Sequence, residues 1–266
     1  MQINRTQVEQ SFREYTNQYD VTDSKIKLKI DHTYRVADLC ERLAKSISLS
    51  KEDVDLAWLC GMLHDVGRFE QLRRYGTFVD EQFIDHAVFG AELLFTEEMR
   101  QVDGYQIPNI RSFVTDDAED ELLQMAVWCH SAYRMPENLD ERCEMFCDIL
   151  RDADKIDIMR VNVDVPLEEI YNVTTEELQQ SGITAEVLQA YEEEHAVLRS
   201  LKKTPVDNIV GHMALVFELV FPESIAIVRQ QGYLKQLMNY RSKNAATRKQ
   251  FEQLRAHMEQ YMKADD

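Results

Sequence analysis

The stretch Asp31-His32-Thr-Tyr-Arg-Val36-Ala-Asp-Leu39-Cys-Glu-Arg-Leu43 puts a histidine on the stripe of Val36, Leu39 and Leu43, at steps of 4, 3 and 4 residues. Those steps follow one face of an α-helix, so the His32 imidazole points where the aliphatic side chains point. The same signature recurs along the chain. Trp58-Leu-Cys-Gly-Met-Leu63 is an apolar run ending in His64-Asp65, and Phe83, His86, Gly90 and Leu94 repeat at 3, 4 and 4. Leu123, Ala126 and His130 repeat at 3 and 4, and Cys143, Cys147, Leu150, Asp154 and Ile158 at 4, 3, 4 and 4. Four histidines and two aspartates thus face an interior from five helical segments.

The rest of the chain agrees with an all-α fold. Helices are predicted over Asn4–Gln18, Ser24–Ser48, Lys51–Asp65, Glu81–Phe95, Glu119–Ser131, Asp140–Val163, Ala185–Glu194, Val206–Phe221, Glu223–Tyr240 and Ala245–Lys263. Ser50 offers a cap to the third of these, with Glu52 and Asp53 at the positive end of its dipole and Gly67 just past its end. Thr204-Pro205 and Pro222-Glu223 mark two further starts. The 8 Gly and 5 Pro in 266 residues are under half the average usage of about 12%, which argues against a turn-rich all-β architecture. With no internal repeat or Pro/Gly/Ser linker, residues 1–266 read as one helical body. Gln101–Asp117, with Gly104, Pro108 and a Thr-Asp-Asp run, reads as a long connection, either a lid over a site or a solvated loop. Phe251, Leu254, Met258, Tyr261 and Met262 form an amphipathic stripe, to be buried in the core or, second, in a homodimer interface.

Composition narrows the partners. The 30 Lys and Arg against 48 Asp and Glu leave a net charge of −18, which offers no surplus of cations for a sequence-independent grip on nucleic acid. A local basic pocket for a small anion remains compatible with that balance. No segment approaches the ~18 uninterrupted apolar residues of a membrane span, and the first residues lack the apolar stretch of a secretory signal. Five scattered cysteines (40, 60, 129, 143 and 147) suit reduced thiols and a cytoplasmic location. Cys143 and Cys147, one helical turn apart, read as small core residues before they read as metal ligands.

A single histidine on an apolar face is most often a hydrogen-bonded core residue. Six ionisable groups are a different matter. Each polar group buried without a partner costs roughly 2–7 kcal/mol, against a total stability of about 5–15 kcal/mol. The six must satisfy one another or share a cation. Mixed imidazole and carboxylate donors suit a divalent transition metal (Fe, Mn, Zn, Ni or Co), whereas Ca²⁺ prefers oxygen throughout.

These residues resemble the HD-domain superfamily of metal-dependent phosphohydrolases, from roughly Asp31 to Arg160. The family pattern of a His, a His-Asp doublet and a distant Asp is matched by Asp31-His32-Thr-Tyr-Arg-Val-Ala, Cys60-Gly-Met-Leu-His64-Asp65-Val-Gly-Arg68 and Leu150-Arg-Asp-Ala-Asp154-Lys155-Ile-Asp. The resemblance implies an HD-domain helical bundle at 20–165 with additional C-terminal helices at 166–266 packing on it. It implies that His32, His64, Asp65 and Asp154 hold one metal. Members with two metals insert two more histidines, and Asp85-His86-Ala-Val-Phe-Gly90 and Trp128-Cys-His130-Ser occupy that interval, so that Asp65 would bridge two ions.

The implied activity is hydrolysis of a phosphoester in a nucleotide or related small molecule by metal-activated water, with Asp65, Arg68 and Lys155 as catalytic residues. Arg68 sits where related enzymes place a cation against the phosphate, although a basic residue beside a helix C-terminus is an equal reading. For Lys155 the plainer reading is a solvated charge or a pair with Asp152 or Asp157. Arg35 and Arg134 also lie near motif histidines. The cyclic-diguanylate branch carries Gly-Tyr-Pro after His-His-Glu, whereas here the sequence is His130-Ser-Ala-Tyr-Arg-Met-Pro136, which sets this chain apart from that branch. Two alternatives stand beside hydrolysis: a di-iron oxygenase of the same fold, and a metal-stabilised binding or regulatory module without turnover. His195, His212 and His257 fall outside the pattern as structural or surface residues.

Overall fold

The protein is described by a computed structural model that covers residues 1–78, 80, 83–96 and 101–264. Among these residues it is all-α, as the sequence predicts, apart from one short hairpin, and the chain divides into two compact units, Met1–Asp154 and Lys155–Asp266.

The first unit opens with α1 (Arg5–Thr16), capped by the Asn4 side chain, and α2 (Ser24–Ser46), capped by Asp23. The chain reverses through Ser48 in a left-handed conformation into α3 (Lys51–Leu63), where Ser50 accepts from the Asp53 amide as the sequence suggests. Val36, Leu39 and Leu43 of α2 and Leu59, Met62 and Leu63 of α3 are buried, so the predicted stripes do become the core. Gly61 allows the two helices to approach closely, because a Cβ there would lie 2.5 Å from the Ala37 Cα.

The helix expected to stop before Gly67 instead turns at His64-Asp65, and α4 (Val66–Tyr75) starts at once. Gly67 is a close-approach glycine rather than a cap: a Cβ would lie 2.5 Å from the His86 carbonyl oxygen and 2.8 Å from the Gly90 amide nitrogen. The left-handed terminator is Gly76, at φ 70°. The next helix, α5 (His86–Phe95), is capped by Asp85. Its expected start at Glu81 lies outside the described residues. Phe83 does not join the helical stripe. It precedes the helix, is 55% exposed and stacks on Tyr75.

Strands β1 (Gln101–Val102) and β2 (Tyr105–Gln106) pair antiparallel around Asp103 and Gly104, both at positive φ. The solvated-loop reading of Gln101–Asp117 does not describe residues 105–114. Tyr105 stacks on Tyr19, the Gln18 amide bonds both the N–H and the C=O of Gln106, and Ile107, Ile110, Phe113 and Val114 are buried. It is anchored structure. Helix α6 (Asp120–Cys129) and α7 (Glu141–Asp164) follow; the first unit ends within α7, at Asp154.

The second unit continues through α8 (Leu167–Tyr171), α9 (Thr175–Gln180), α10 (Ala185–Glu192), α11 (Pro205–Met213), α12 (Pro222–Gln231), α13 (Tyr233–Met238) and α14 (Ala245–Ala264). Two helices predicted as continuous are broken. A 3-10 turn at Ala214–Glu218 follows α11, and Gly232 at φ 73° separates α12 from α13. Phe251, Leu254 and Met258 of α14 are buried within the chain, and the Tyr191 hydroxyl donates to the Leu254 carbonyl. Among the described residues no helix is long and apolar enough to cross a membrane.

Candidate metal centre

Five elements of the first unit bring the six predicted side chains together. His32 comes from the middle of α2, His64 and Asp65 from the turn between α3 and α4, and His86 from the first residue of α5. His130 follows the last residue of α6, and Asp154 lies on α7. All six are buried.

The distances fall into two sets that share Asp65. On one side His32 Nε2 lies 3.3 Å from His64 Nε2, 3.1 Å from Asp154 Oδ1 and 3.6 Å from Asp65 Oδ2; His64 Nε2 is 3.5 Å from the same Asp65 oxygen. On the other side His86 Nε2 lies 3.0 Å from His130 Nε2, and the two are 3.4 and 3.9 Å from Asp65 Oδ1. One carboxylate therefore turns one oxygen to each histidine pair. His32, His64 and Asp154 form one group with ligand atoms close enough to hold an ion, and His64, Asp65 and His130 form another. No cysteine belongs to either group, and Cys143 and Cys147 are buried core residues.

The hydrogen bonds on the far side of the rings assign the tautomers. His64 Nδ1 lies 2.7 Å from the Gly61 carbonyl and His130 Nδ1 2.7 Å from the Val127 carbonyl; His86 Nδ1 lies 2.8 Å from Asp80 Oδ2. Those partners accept only, so each Nδ1 carries the proton and each Nε2 presents a lone pair to the centre. Lone pairs of His86 and His130 that face each other at 3.0 Å, among carboxylate oxygens, repel unless a cation lies among them. The donor set, imidazole nitrogen plus carboxylate oxygen with the N–H groups of His64, His86 and His130 turned outward, is that of a divalent transition-metal centre.

Electrostatics agree. Burial works to raise the Asp65 carboxyl, but Lys29 and the histidines outweigh it and hold the group well below the usual carboxylate range. Asp154 is held low in the same way, burial being overcome by His32, His64 and His130. Burial, aided by His86 and His64, pushes His130 down to about 3. These shifts predict acid lability of the metal-free protein. As pH falls through 6.5 the unfolded chain protonates its histidine while the folded one does not, so stability present above pH 6.5 declines towards pH 3. Chemical denaturation is expected to show a loss of roughly 2–3 kcal/mol between about pH 7 and pH 4.5, at about 1.36 kcal/mol per pKa unit. A flat profile would contradict the neutral buried imidazole.

Three neighbours carry no helical signal that singles them out. Lys29 Nζ donates to Asp65 Oδ2 at 2.8 Å with its side chain 18% exposed; it stands one turn before His32 on α2. Asp80 holds His86. Arg151, one turn before Asp154 on α7, is buried and donates to the carbonyls of Cys129 and Ala132, both at 2.7 Å, tying down the chain that carries His130. Arg68 lies in the first turn of α4, not beside a helix C-terminus. Its Nη1 donates to Gln71, the Phe78 carbonyl and Asp80, while its Nε, 3.6 Å from Asp65 Oδ1, is buried without a hydrogen bond. Lys155 Nζ donates to the Glu218 carbonyl at 2.8 Å. Of the remaining histidines, His212 bonds the Tyr171 hydroxyl and His257 bonds Glu194.

Comparison with known proteins adds a family to this geometry. The HD domain matches residues 30–159, the interval that contains all six side chains. A 69-residue segment is 30% identical to the 3'3'-cGAMP-specific phosphodiesterase 1 of Vibrio cholerae, covering 24% of this chain and 16% of that protein. No solved structure gives a significant match.

Proposed function

Because residues 30–159 are an HD domain, we propose that the chain is a metal-dependent phosphohydrolase that cleaves a phosphoester of a nucleotide or related small molecule. The observation that carries the proposal is the division of Asp65, one oxygen to His32 and His64 and the other to His86 and His130. In this reading His32, His64, Asp65 and Asp154 hold one ion, and Asp65, His86 and His130 hold a second. Fe, Mn, Zn, Ni and Co all suit the donors. When bound, such ions supply Lewis acidity and a hydroxide nucleophile near neutral pH.

The chain's own residues supply the rest. Lys29 is a partly exposed cation at the centre and can donate to a phosphoryl oxygen from where it now meets Asp65. Arg68 offers its unsatisfied Nε towards the same carboxylate, which suits the anion contact expected of it. Lys155 can serve in the reaction only by leaving the Glu218 carbonyl. The similarity to a cyclic-dinucleotide phosphodiesterase favours a nucleotide-like diester, while the sequence after His130 lacks the Gly-Tyr-Pro of the cyclic-diguanylate branch. Five free buried thiols favour a cytoplasmic setting, and Phe251, Leu254 and Met258 of the α14 stripe are already buried within the chain, which leaves only the half-buried Tyr261 and Met262 of that stripe for a homodimer.

The test is elemental analysis of protein purified without added metal, then a phosphomonoester and phosphodiester panel with the ion found. Hydrolysis at equal rates with and without oxygen is the expected result. An oxygen requirement would move the assignment to the oxygenase alternative. Two bound ions with no turnover would leave a metal-stabilised binding module.

A further inference from the structure

His64 and His130 orient their rings within their own segments, since each donates from Nδ1 to the carbonyl three residues earlier. His86 cannot. It is the first residue of α5, and residues 83–85 before it are not helical, so its ring does not follow a helical turn of its own segment as the other two do. It needs an acceptor from elsewhere, and Asp80 supplies one at 2.8 Å with a side chain only 5% exposed.

Asp80 is itself held on its other oxygen. Oδ1 accepts from Arg68 Nη1 and from Gln71 Nε2, both at 2.8 Å and both from α4. The same two side chains bond the flanking backbone, Arg68 at the Phe78 carbonyl and Gln71 at the Ile84 carbonyl. A carboxylate fixed by a cation and an amide faces a ring whose other nitrogen points at Asp65 and His130. We propose that Asp80, framed by Arg68 and Gln71, is the positioning residue of His86: it keeps the proton on Nδ1, turns the Nε2 lone pair inward and so sets the affinity of the ion on the His86 and His130 side. The inference rests on the metal reading above and deepens it, because it gives the His86 and His130 side a carboxylate support of its own.

Losing such a carboxylate partner typically weakens metal affinity by about 10–100-fold. The test titrates the full-length metal-free protein with Mn²⁺ or Zn²⁺ alone and resolves the two steps by calorimetry. Asp80→Ala is expected to weaken one step by that factor and leave the other unchanged, with Asp80→Asn, which keeps an acceptor oxygen but no charge, falling between. Asp80→Ala combined with His86→Ala should bind no more weakly than His86→Ala alone, because the two act as one unit. Long-range ¹H–¹⁵N spectra of the metal-free protein supply a readout that a merely structural role would not move. His86 is expected to be the Nδ1–H tautomer in the wild type and to lose that preference in Asp80→Ala.

Wild-type constants for both ions together with an unchanged tautomer in Asp80→Ala would overturn the proposal, as would strictly additive losses in the double variant. A wild type that takes up one ion or none defeats the two-metal reading instead, and the tautomer arm then still decides whether Asp80 sets the ring. Should the alanine variant fail to fold, the asparagine variant carries both measurements.

Discussion

Asp65→Ala is expected to abolish phosphoester hydrolysis, by at least about 10³-fold, and to weaken the binding of both ions together. A single hydrogen-bond donor that stabilises developing charge is typically worth about 10²–10³ in rate, and a carboxylate that would hold the ions themselves should be worth at least as much. A shared carboxylate counts on both sides, since one of its oxygens serves His32 and His64 and the other His86 and His130. The metal-free fold should tolerate the change. Asp65 carries a large cost of burial, compensated chiefly by Lys29, and Lys29 is exposed enough to be solvated when its partner goes. Elemental analysis and circular dichroism on the same preparation separate the outcomes. An alanine variant that folds, keeps both ions at wild-type affinity and still turns over substrate would remove the bridging carboxylate from the mechanism. His32→Ala should instead weaken one ion selectively, since its Nε2 approaches Asp154 and the Oδ2 side of Asp65 alone.

How much of this was legible in the sequence depends on whether a residue sits in a regular helix. His32, His130 and Asp154 could be read from the period of their apolar neighbours, because a helix face is a repeat that one sequence displays, and His64 from the apolar run that it ends. His86 was identified on a stripe that included Phe83, and the structure leaves Phe83 outside the helix; the ring direction comes from Asp80 instead. Nothing in a local pattern links Asp80 to His86, since residues 83–85 before the helix are not helical and the links run through Arg68 and Gln71, which bond Asp80 and the carbonyls of Phe78 and Ile84. Gly67 misled for a related reason. A glycine at an apparent helix end is a natural cap, yet the same residue type is needed where two backbones nearly touch, and only the location of α5 reveals which applies. Segment 101–117 looked like a free connection because its anchors, Gln18 and Tyr19, lie far away along the chain.

Close approach of backbones also leads to the second large effect, Gly61→Ala. The added methyl carbon would stand 2.5 Å from the Ala37 Cα and 2.8 Å from its amide nitrogen. These are backbone atoms of a long helix, so no rotamer change relieves the contact and α3 must move away from α2. Overpacking of a tight core costs about 1–3 kcal/mol, and a clash between rigid backbones belongs at or above the top of that range. The metal centre should register the same displacement. Gly61 lies one turn before His64 on α3, and Ala37 lies just beyond His32 on α2, so separating the helices there lengthens the 3.3 Å between the two Nε2 atoms. A loss of roughly 3 kcal/mol or more in chemical denaturation is therefore expected together with weaker binding of the ion on the His32 and His64 side. Gly76→Ala provides the contrast. It sits at positive φ with open space around its missing Cβ, so it should cost only about 1 kcal/mol and leave metal affinity unchanged. Equal and small losses in the two variants, with metal binding intact in both, would mean that the α2–α3 contact does not set the spacing of the histidines.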